Sequence, residues 1–528
     1  MSARSCHRMI TTGDNTPGQI HTDICIVGSG PAGMTVALEL ERQGIDCVLL
    51  ESGDRMPDQA HTALNETPQI GIRTDPSVTN RVRGLGGTSA LWGGLCRRLD
   101  AVDMERRDWV PGSGWPIGLN DLLPHYDTAH RILELPPAEY DLARLRSSGA
   151  DKGPLLEDRD FQNAVFYYDS SPVRFGPRYG PQLESSTRIR TFLDSTVIDI
   201  VTDDTGARVI ALEVSTLQGK RFQVVAQRFV LAAGAIQTAR LLLNANGVHT
   251  AGLGNNHDMV GRNFLQHPVF YGPRLLMFNA AAKQRLRRTN TSKVAILTAI
   301  NPRAASEQEL LNFHFFVMEQ QAPGEREALL RALPAIVRRA LQGVPAARVG
   351  EVGEVPEYMH DLESLLTQQA NPQTLYAPLE VRAEQAPNRD SRIMLAEERD
   401  QLGLRRAVMD WRLNELDRTS MKNGMRLLGG SIARNGIGRV QSGPEQWSIP
   451  EAGGKFLHGG NHQYGTTRMG DSPRSSVVNR DCRVHGLANL YIAGSAVFPT
   501  TGYANPTLTI VAIAARLAAH LAQSQPRA

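Results

Sequence analysis

The sequence has few cysteines, little net charge and no long apolar run. Its five cysteines lie far apart, form no C-x-x-C pair and are odd in number. That arrangement argues against a disulfide framework or a structural zinc site, and it suits a reducing compartment. A net charge of +3 over 528 residues gives no reason to expect nucleic acid as a partner.

Neither a membrane span nor an export signal is predicted. No stretch approaches the ~18 uninterrupted apolar residues that a membrane span requires. The polar, mixed N-terminal segment contains no apolar core of signal-peptide length. We therefore expect a soluble, cytoplasmic protein, with a disordered tail over residues 1–19.

The length and composition are those of an ordinary globular protein with more than one domain. A hydrophobic fraction of 41% with 21% charged residues is typical of soluble domains. A chain of 528 residues exceeds what one hydrophobic core usually organises, so two domains are predicted.

The segment TDICIVGSGPAG, residues 22–33, carries the pattern G-x-G-x-x-G between a predicted strand and a predicted helix. We expect a buried strand over 24–27, a helix over about 32–43 and a second buried strand in DCVLLESG. Gly28 permits the tight turn, Gly30 lets the backbone approach a pyrophosphate, and Gly33 lets the helix pack closely on the strand. The pattern predicts a βαβ unit that binds a dinucleotide at the helix N-terminus.

Glu51 ends the second predicted strand, where an acid accepts hydrogen bonds from an adenosine ribose. This first fingerprint alone does not separate FAD from NAD. No second G-x-G-x-x-G follows a strand to hold a nicotinamide cofactor, so an NAD(P)-linked dehydrogenase is the weaker alternative.

Three further segments resemble the glucose–methanol–choline (GMC) oxidoreductases, a family of flavoproteins. They are GLGGTSALWGG (84–94), AAGAIQTARLLL (232–243), and HQYGTTRMG (462–470) followed by NLYIAGSAVFPTTGYANPTLT (489–509). They occur in the family's order over nearly the whole chain, and the C-terminal block is the most specific. The ANPTLT and H-x-x-G-T patterns are nearest to the pyranose 2-oxidase branch and its bacterial relatives that act on sugars and glycosides.

The resemblance implies an α/β fold with a Rossmann-like FAD-binding domain of the p-hydroxybenzoate-hydroxylase type. A substrate-binding α+β domain, built on an antiparallel sheet, would be inserted into it. We expect residues 20–110, 185–268 and 456–528 to form the FAD-binding domain, and 111–184 and 269–455 to form the substrate-binding domain.

The resemblance also implies the residues that contact FAD. They are Gly28, Gly30, Pro31, Ala32, Gly33, Glu51, Ser52, Gly86, Gly87, Thr88, Trp92, Gly93, Gly94, Val197, Ala233, Gly234, Gly494, Ser495, Asn505, Pro506 and Thr507. In fungal pyranose oxidases a histidine bonded covalently to the flavin precedes the loop's tryptophan. Leu91 stands there in this chain, so FAD is expected to bind non-covalently. Gly93 replaces a threonine of those oxidases and weakly favours a dehydrogenase; the partner that reoxidises the flavin would be oxygen or another acceptor.

His462 and Asn505 match the family's two catalytic positions. An imidazole titrates near neutrality, so His462 can take the hydroxyl proton while the flavin N5 takes the hydride. Asn505 would hold the oxygen of a small hydroxylated substrate, and it is also a good N-cap before Pro506. The alternative for the same fold is a non-redox or light-driven flavoprotein, such as a hydroxynitrile lyase or a decarboxylase.

Several other features have simpler explanations. His458 and His462 are four residues apart, but the glycines between them argue against a helical zinc site, and no metal is predicted. His267 and His485 show no partner pattern and are expected to be structural. The basic segment 283–288 is predicted to be a solvated loop or helix face. Residues 325–342 are predicted to form an ordinary surface helix, with a lid over the active site or a docking surface as alternatives.

Overall fold

Two large β-sheets, joined by helices and loops, organise the chain in a computed structural model. The structure describes residues 10–75, 77–147, 156–278, 289–291, 293–317, 375–441 and 457–523. The segments 283–288 and 325–342, for which we made predictions, lie outside the described residues.

The first sheet is mainly parallel and has the strand order β1-β6-β3-β2-β9-β8-β7, with β19 beside β9. Pairs among β1, β6, β3, β2, β9 and β19 are parallel, whereas β7, β8 and β9 form an antiparallel meander. Its strands are β1 (Ile10–Thr12), β2 (Gln19–Val27), β3 (Cys47–Leu50), β6 (Ile189–Leu193), β7 (Thr196–Thr202), β8 (Val209–Ser215), β9 (Arg221–Leu231) and β19 (Leu490–Ile492).

The second sheet is antiparallel and has the order β17-β10-β14-β13-β12-β5-β4, with β11 beside β12 and β18 beside β10. A separate two-stranded ribbon pairs β15 (Arg392–Arg399) with β16 (Arg405–Asp410). The strands of the second sheet are β4 (Leu95–Cys96), β5 (Phe161–Tyr168), β10 (Pro268–Met277), β11 (Thr289–Thr291), β12 (Val294–Ile300), β13 (Phe313–Val317), β14 (Leu375–Ala383), β17 (Gly438–Gln441) and β18 (Leu457–Gly459).

The described helices lie between and beside the sheets. They are α1 (Pro31–Arg42), α2 (Gln59–Ala63), α3 (Ser77–Asn80), α4 (Ala101–Met104), α5 (Leu119–Ile132), α6 (Leu142–Ser147), α7 (Phe175–Ser185), α8 (Gly234–Asn244), α9 (Pro302–Glu307), α10 (Glu415–Arg434) and α11 (Pro506–Gln523). Helix α11 is apolar on most of its circumference because it packs against both α1 and α5. No helix in the described part of the chain is both long and apolar enough to cross a membrane.

The predicted architecture is confirmed: a Rossmann-like α/β unit with an antiparallel sheet beside it. The strand predicted over 24–27 is the end of β2, and the helix predicted over about 32–43 is α1. β3 follows α1 and pairs parallel to β2, so the β2–α1–β3 segment is the expected βαβ unit. Gly30 is the N-cap of α1, and Pro31 occupies its first turn.

The structure differs from the sequence-based predictions at three places. The prediction of a disordered tail over residues 1–19 is wrong for residues 10–19, because β1 (Ile10–Thr12) pairs with β6 at the edge of the first sheet. β4 and β18 lie within segments assigned to the FAD-binding domain, yet they pair with β5 and β10 of the second sheet. The remaining domain boundaries stay a prediction.

Candidate active site

A cavity of about 870 Å³ lies where the parallel strands of the first sheet end. β2, β3, β9 and β19 run in the same direction, so the loops that follow them meet at one edge of the sheet. In an open α/β sheet this carboxyl-terminal edge is where ligands bind. Residues directly after these strands line the cavity: Gly28, Glu51, Ala232–Gly234 and Ala493–Gly494.

The three fingerprint glycines have different reasons to lack a side chain. Gly28 has φ +100°, and a Cβ there would lie 2.8 Å from the Ala232 carbonyl oxygen. A Cβ on Gly33 would lie 1.9 Å from the Gly28 carbonyl oxygen, so helix and turn could not pack. A Cβ on Gly30 would meet no atom within 4 Å, although Gly30 lines the cavity. Gly30 therefore keeps the cavity open beside the N-terminus of α1.

The Glu51 carboxylate fixes both glycine turns by accepting hydrogen bonds from them. One carboxylate oxygen accepts hydrogen bonds from the Ser29 backbone N–H at 2.9 Å and the Ser29 hydroxyl at 2.6 Å. The other accepts from the backbone N–H groups of Gly53 and Gly84, at 2.9 and 3.1 Å. Four donors from the chain already occupy this buried carboxylate, a supporting role that the sequence did not predict. Contact with a ribose stays a prediction.

The second glycine loop crosses directly over the first. Gly86 and Gly87 have φ +92° and +55°, and a Cβ on Gly87 would lie 3.0 Å from the Gly30 Cα. A Cβ on Gly86 would lie 2.2 Å from the Gly176 backbone nitrogen at the start of α7. The Trp92 indole N–H donates to the Val173 carbonyl at 2.9 Å, which fixes the end of this loop.

Most residues predicted to contact FAD line this one cavity. They are Gly28, Gly30, Pro31, Ala32, Glu51, Ser52, Gly87, Thr88, Trp92, Gly93, Gly94, Val197, Ala233, Gly234, Gly494, Ser495, Asn505, Pro506 and Thr507. Gly33 and Gly86 are not part of its wall. Close packing against Gly28 and Gly176 explains why these two positions are glycine, and their direct contact with FAD stays a prediction.

Sequence reasoning missed the arginines of the cavity wall, which include Arg81 and Arg83. Arg81 donates to the Asn65 carbonyl at 2.8 Å, and Arg83 donates to the Ser52 hydroxyl at 2.6 Å. Neither is paired with a carboxylate among the described residues. Burial and the neighbouring cations lower the pKa of Arg81 to about 9, and burial lowers that of Arg83 to about 10. Arg81 is buried and Arg83 is half-buried, and cations without a salt-bridged carboxylate favour an anionic ligand. The R-V-R triplet before the glycine loop was the available signal.

His462 and Asn505 meet in the wall of the same cavity. The Asn505 side-chain nitrogen lies 3.4 Å from His462 Nε2. The Asn505 side-chain oxygen is buried without a hydrogen-bond partner in the described part of the chain. A buried carbonyl oxygen without a partner is costly, so it is a candidate to receive a donor from a ligand.

His267, predicted to be structural, contacts His462 directly. Its Nδ1 lies 3.0 Å from His462 Nδ1, and its Nε2 lies 3.0 Å from the Gly502 carbonyl oxygen. The two imidazole rings meet edge to face, with centroids 5.1 Å apart. These two histidines are 195 residues apart in sequence, so no local pattern could have paired them.

The surroundings keep both imidazoles neutral. Burial, followed by the charge of Arg382, lowers the pKa of His267 to about 3. Burial also lowers the pKa of His462 well below its usual range, with further contributions from His267, Arg382 and His314. A neutral imidazole has one free lone pair, so His462 is in the state that a base requires.

The other two histidines considered in the sequence lie away from this site. His458 is exposed on β18 and contacts the Tyr271 ring, with centroids 5.3 Å apart. His485 accepts or donates a hydrogen bond with the Ser476 hydroxyl at 3.0 Å. Within the described ranges, no group of three or more His, Cys, Asp or Glu side chains could hold a metal ion.

Comparison with known proteins identifies two family models. The model described as FAD dependent oxidoreductase matches residues 23–265, and the model described as GMC oxidoreductase matches residues 387–514. The first covers the glycine turns and α8, and the second covers the loop with His462 and Asn505.

Curated relatives match along almost the whole chain. Paromamine 6'-oxidase of Streptomyces fradiae is 25% identical, over 94% of this chain and 90% of its own. The fructose dehydrogenase large subunit of Gluconobacter japonicus is 26% identical, over 94% of this chain and 97% of its own. Among solved structures, pyridoxine 4-oxidase from Mesorbium loti superposes with a TM-score of 0.59 at 17% identity, covering 96% of this chain and 100% of that one.

The cavity, its glycine turns and these matches define the class of protein: an FAD-dependent oxidoreductase that acts on CH–OH donors. Within that class, the predicted resemblance to the GMC oxidoreductases is confirmed. The relatives named above are oxidases and a dehydrogenase, so the comparisons do not favour the lyase or decarboxylase alternative.

Proposed function

We propose that this chain oxidises a hydroxyl-bearing carbon of a sugar, a glycoside or a similar polyol to a carbonyl, with His462 as the base. The observation that carries the proposal is the pairing of His462 with Asn505 in the wall of the cavity formed by the glycine loops. A base and an amide at one spot can hold the oxygen of an alcohol and accept its proton.

The residues that line this cavity are suited to bind FAD. The open space at the Gly30 Cβ position and the N-terminus of α1 suit a pyrophosphate, whose charge Arg81 and Arg83 would neutralise. Pro506 and Thr507 begin α11 beside Asn505, so the positive end of a second helix also faces the cavity. When bound, FAD supplies the acceptor for the hydride that leaves the carbinol carbon.

The chain's own residues would act on the substrate oxygen. The lone pair of His462 would take the hydroxyl proton, and the amide of Asn505 would hold the oxygen in place. Glu51, Gly87 and Gly94 would shape the walls without taking part in proton transfer.

Support for a polyhydroxylated substrate comes from the cavity wall near His462 and from the relatives. Asn461, Gln463, Asn80 and Arg382 line that part of the cavity, and their side chains can hydrogen-bond to several hydroxyl groups. The names of the relatives refer to paromamine and fructose, both of which carry many hydroxyls. We further propose that the chain is pyranose-oxidase-like and cytoplasmic; the described cysteines are all buried and free, as a reducing compartment allows.

The test is anaerobic reduction of the bound flavin by candidate substrates. The purified holoprotein is mixed without oxygen with D-glucose, D-fructose, a methyl glucoside, paromamine or 2-methyl-1,2-propanediol, and the visible flavin band is recorded. We expect bleaching by at least one of them and none by tert-butanol, which has no hydrogen on its carbinol carbon. A flavin that stays oxidised in every mixture would contradict the proposal and favour the non-redox alternative.

A further inference from the structure

His267 lies at the junction of the two sheets, immediately before β10, and is fully buried. On one side its Nε2 is 3.0 Å from the Gly502 carbonyl oxygen, in the loop that leads to Asn505. On the other side its Nδ1 is 3.0 Å from His462 Nδ1. The ring therefore bridges the substrate loop and the candidate base.

The hydrogen-bond partners fix where the protons are. A carbonyl oxygen only accepts, so Nε2 of His267 must carry the proton that is donated to Gly502. A neutral imidazole has a single N–H, which leaves Nδ1 of His267 as an acceptor. His462 Nδ1 must then be the donor across the 3.0 Å contact, and its own Nε2 is left unprotonated.

We propose that His267 is a positioning residue, which holds His462 in the tautomer whose Nε2 lone pair faces Asn505 and the substrate. The inference rests on the proposed role of His462 as the base. In the opposite tautomer, Nε2 would carry a hydrogen and could not accept the substrate proton. The 3.4 Å approach of the Asn505 side-chain nitrogen to Nε2 agrees with a lone pair at that atom.

The hydrogen bond between His462 and His267 persists while the substrate proton is transferred. When the substrate O–H bond breaks, its proton forms a new N–H bond at Nε2, while the Nδ1–H of His462 still donates to His267. Bound FAD would supply the acceptor for the hydride of the carbinol carbon, so no further oxidant is needed for this step. His267 itself gains and loses no proton.

Other groups packed on His267 do not alter this assignment. The Tyr464 hydroxyl lies 3.3 Å from Nε2 and can share that proton as an acceptor. The cation at Arg382 disfavours protonation of both His267 and His462, and His314 further disfavours protonation of His462. Within the described residues, no carboxylate is hydrogen-bonded to either ring.

Two substitutions separate the positioning role from a purely structural one. His267→Asn places a side-chain oxygen near the position of Nδ1, so it can still accept from His462 but reaches less far toward Gly502. His267→Gln places its amide near the position of Nε2, so it can still donate to Gly502 but lacks the acceptor for His462. We expect His267→Gln to lower the limiting rate of anaerobic flavin reduction by ~10- to 100-fold with KM nearly unchanged, and His267→Asn to recover most of that loss.

The opposite ranking, an active His267→Gln and an impaired His267→Asn, would overturn the proposal. It would show that only the hydrogen bond to Gly502 matters. Equal rates in both variants and the unsubstituted protein would overturn it too. These rates are measured with whichever of the sugars or 2-methyl-1,2-propanediol bleaches the flavin.

A spectroscopic measurement tests the tautomer without activity and without any change at His267. In holoprotein labelled with ¹⁵N-histidine, the resonances of His462 are identified by their loss in His462→Ala. We expect an unprotonated Nε2 and a protonated Nδ1. A protonated Nε2 would refute the positioning role, even if flavin reduction proceeds. The expected tautomer without bleaching by any substrate would instead leave the positioning intact and contradict the proposed function.

Discussion

At the scale of single residues, the glycines of the β2–α1 turn differ in what a side chain would meet. The difference shows which of them are required for folding and which for binding. A Cβ on Gly28 would run into the backbone of Ala232 after β9, and a Cβ on Gly33 would run into the backbone of Gly28, so a substitution at either position damages the fold. At Gly30 a Cβ would enter open space within the cavity, and the backbone has an ordinary negative φ. Substitution of Gly30 should therefore leave the fold intact and affect only what the cavity binds.

Gly30→Val is expected to yield a folded protein that no longer retains FAD, because the valine side chain would occupy the space beside the α1 N-terminus. The measurement is the ratio of flavin absorbance to protein absorbance after purification, together with the far-UV circular dichroism spectrum. Gly18→Val is the matched control: Gly18 is exposed, and its Cβ would also meet nothing within 4 Å, but it lies outside the cavity wall. A Gly30→Val protein with a full complement of FAD would refute the placement of the cofactor.

At the scale of elements, one buried ion pair joins α8 to the β15–β16 ribbon. The Arg240 guanidinium donates to the Asp400 carboxylate at 2.6 Å, with 4% and 2% of the two side chains exposed. The same carboxylate accepts the backbone N–H groups of Leu402 and Leu404, at 2.9 and 3.1 Å, and so closes the turn between the two strands. Asp400 thus shapes the ribbon and fastens it to the helix that follows β9.

Asp400→Ala is expected to lower the free energy of unfolding by ~3–5 kcal/mol, because it leaves the Arg240 cation buried without its partner. Urea unfolding of the mutant and the unsubstituted protein measures this loss. Glu307→Ala removes an ion pair with Arg303 whose side chains are 57% and 84% exposed, and it should leave the free energy of unfolding almost unchanged. Similar losses in the two variants would contradict the structural role given to Asp400.

At the scale of the whole molecule, the site depends on loops from the first sheet meeting strands of the second sheet. Of these strands, β4, β5, β13 and β14 contribute to the cavity wall, through Leu95, Tyr168, Phe316 and Arg382. The βαβ unit could be predicted because its strand, glycine turn and helix are contiguous in sequence. β4 and β18 could not, because strands of two or three residues carry too little periodicity to show which sheet they join. The pairing of His462 with Asn505 came from a resemblance to known proteins rather than from spacing.

The contact between His267 and His462 could not be predicted from the sequence. His267 stands alone between Gln266 and Pro268, with no second histidine or carboxylate at a regular spacing. Its role follows only from three-dimensional contacts with residues more than 190 positions away. Arg81 and Arg83 were closer to prediction, since they directly precede a glycine loop already assigned to the cofactor.

The central claim is that His462 takes the substrate proton, and the rate of anaerobic flavin reduction in His462→Ala tests it most directly. We expect the variant to keep its FAD and to reduce it ~10²- to 10⁴-fold more slowly than the unsubstituted protein, as is typical when a general base is removed. His458→Ala, which changes an exposed histidine on the neighbouring β18, should reduce at the normal rate. Reduction at an unchanged rate in His462→Ala, with FAD fully bound, would contradict the account.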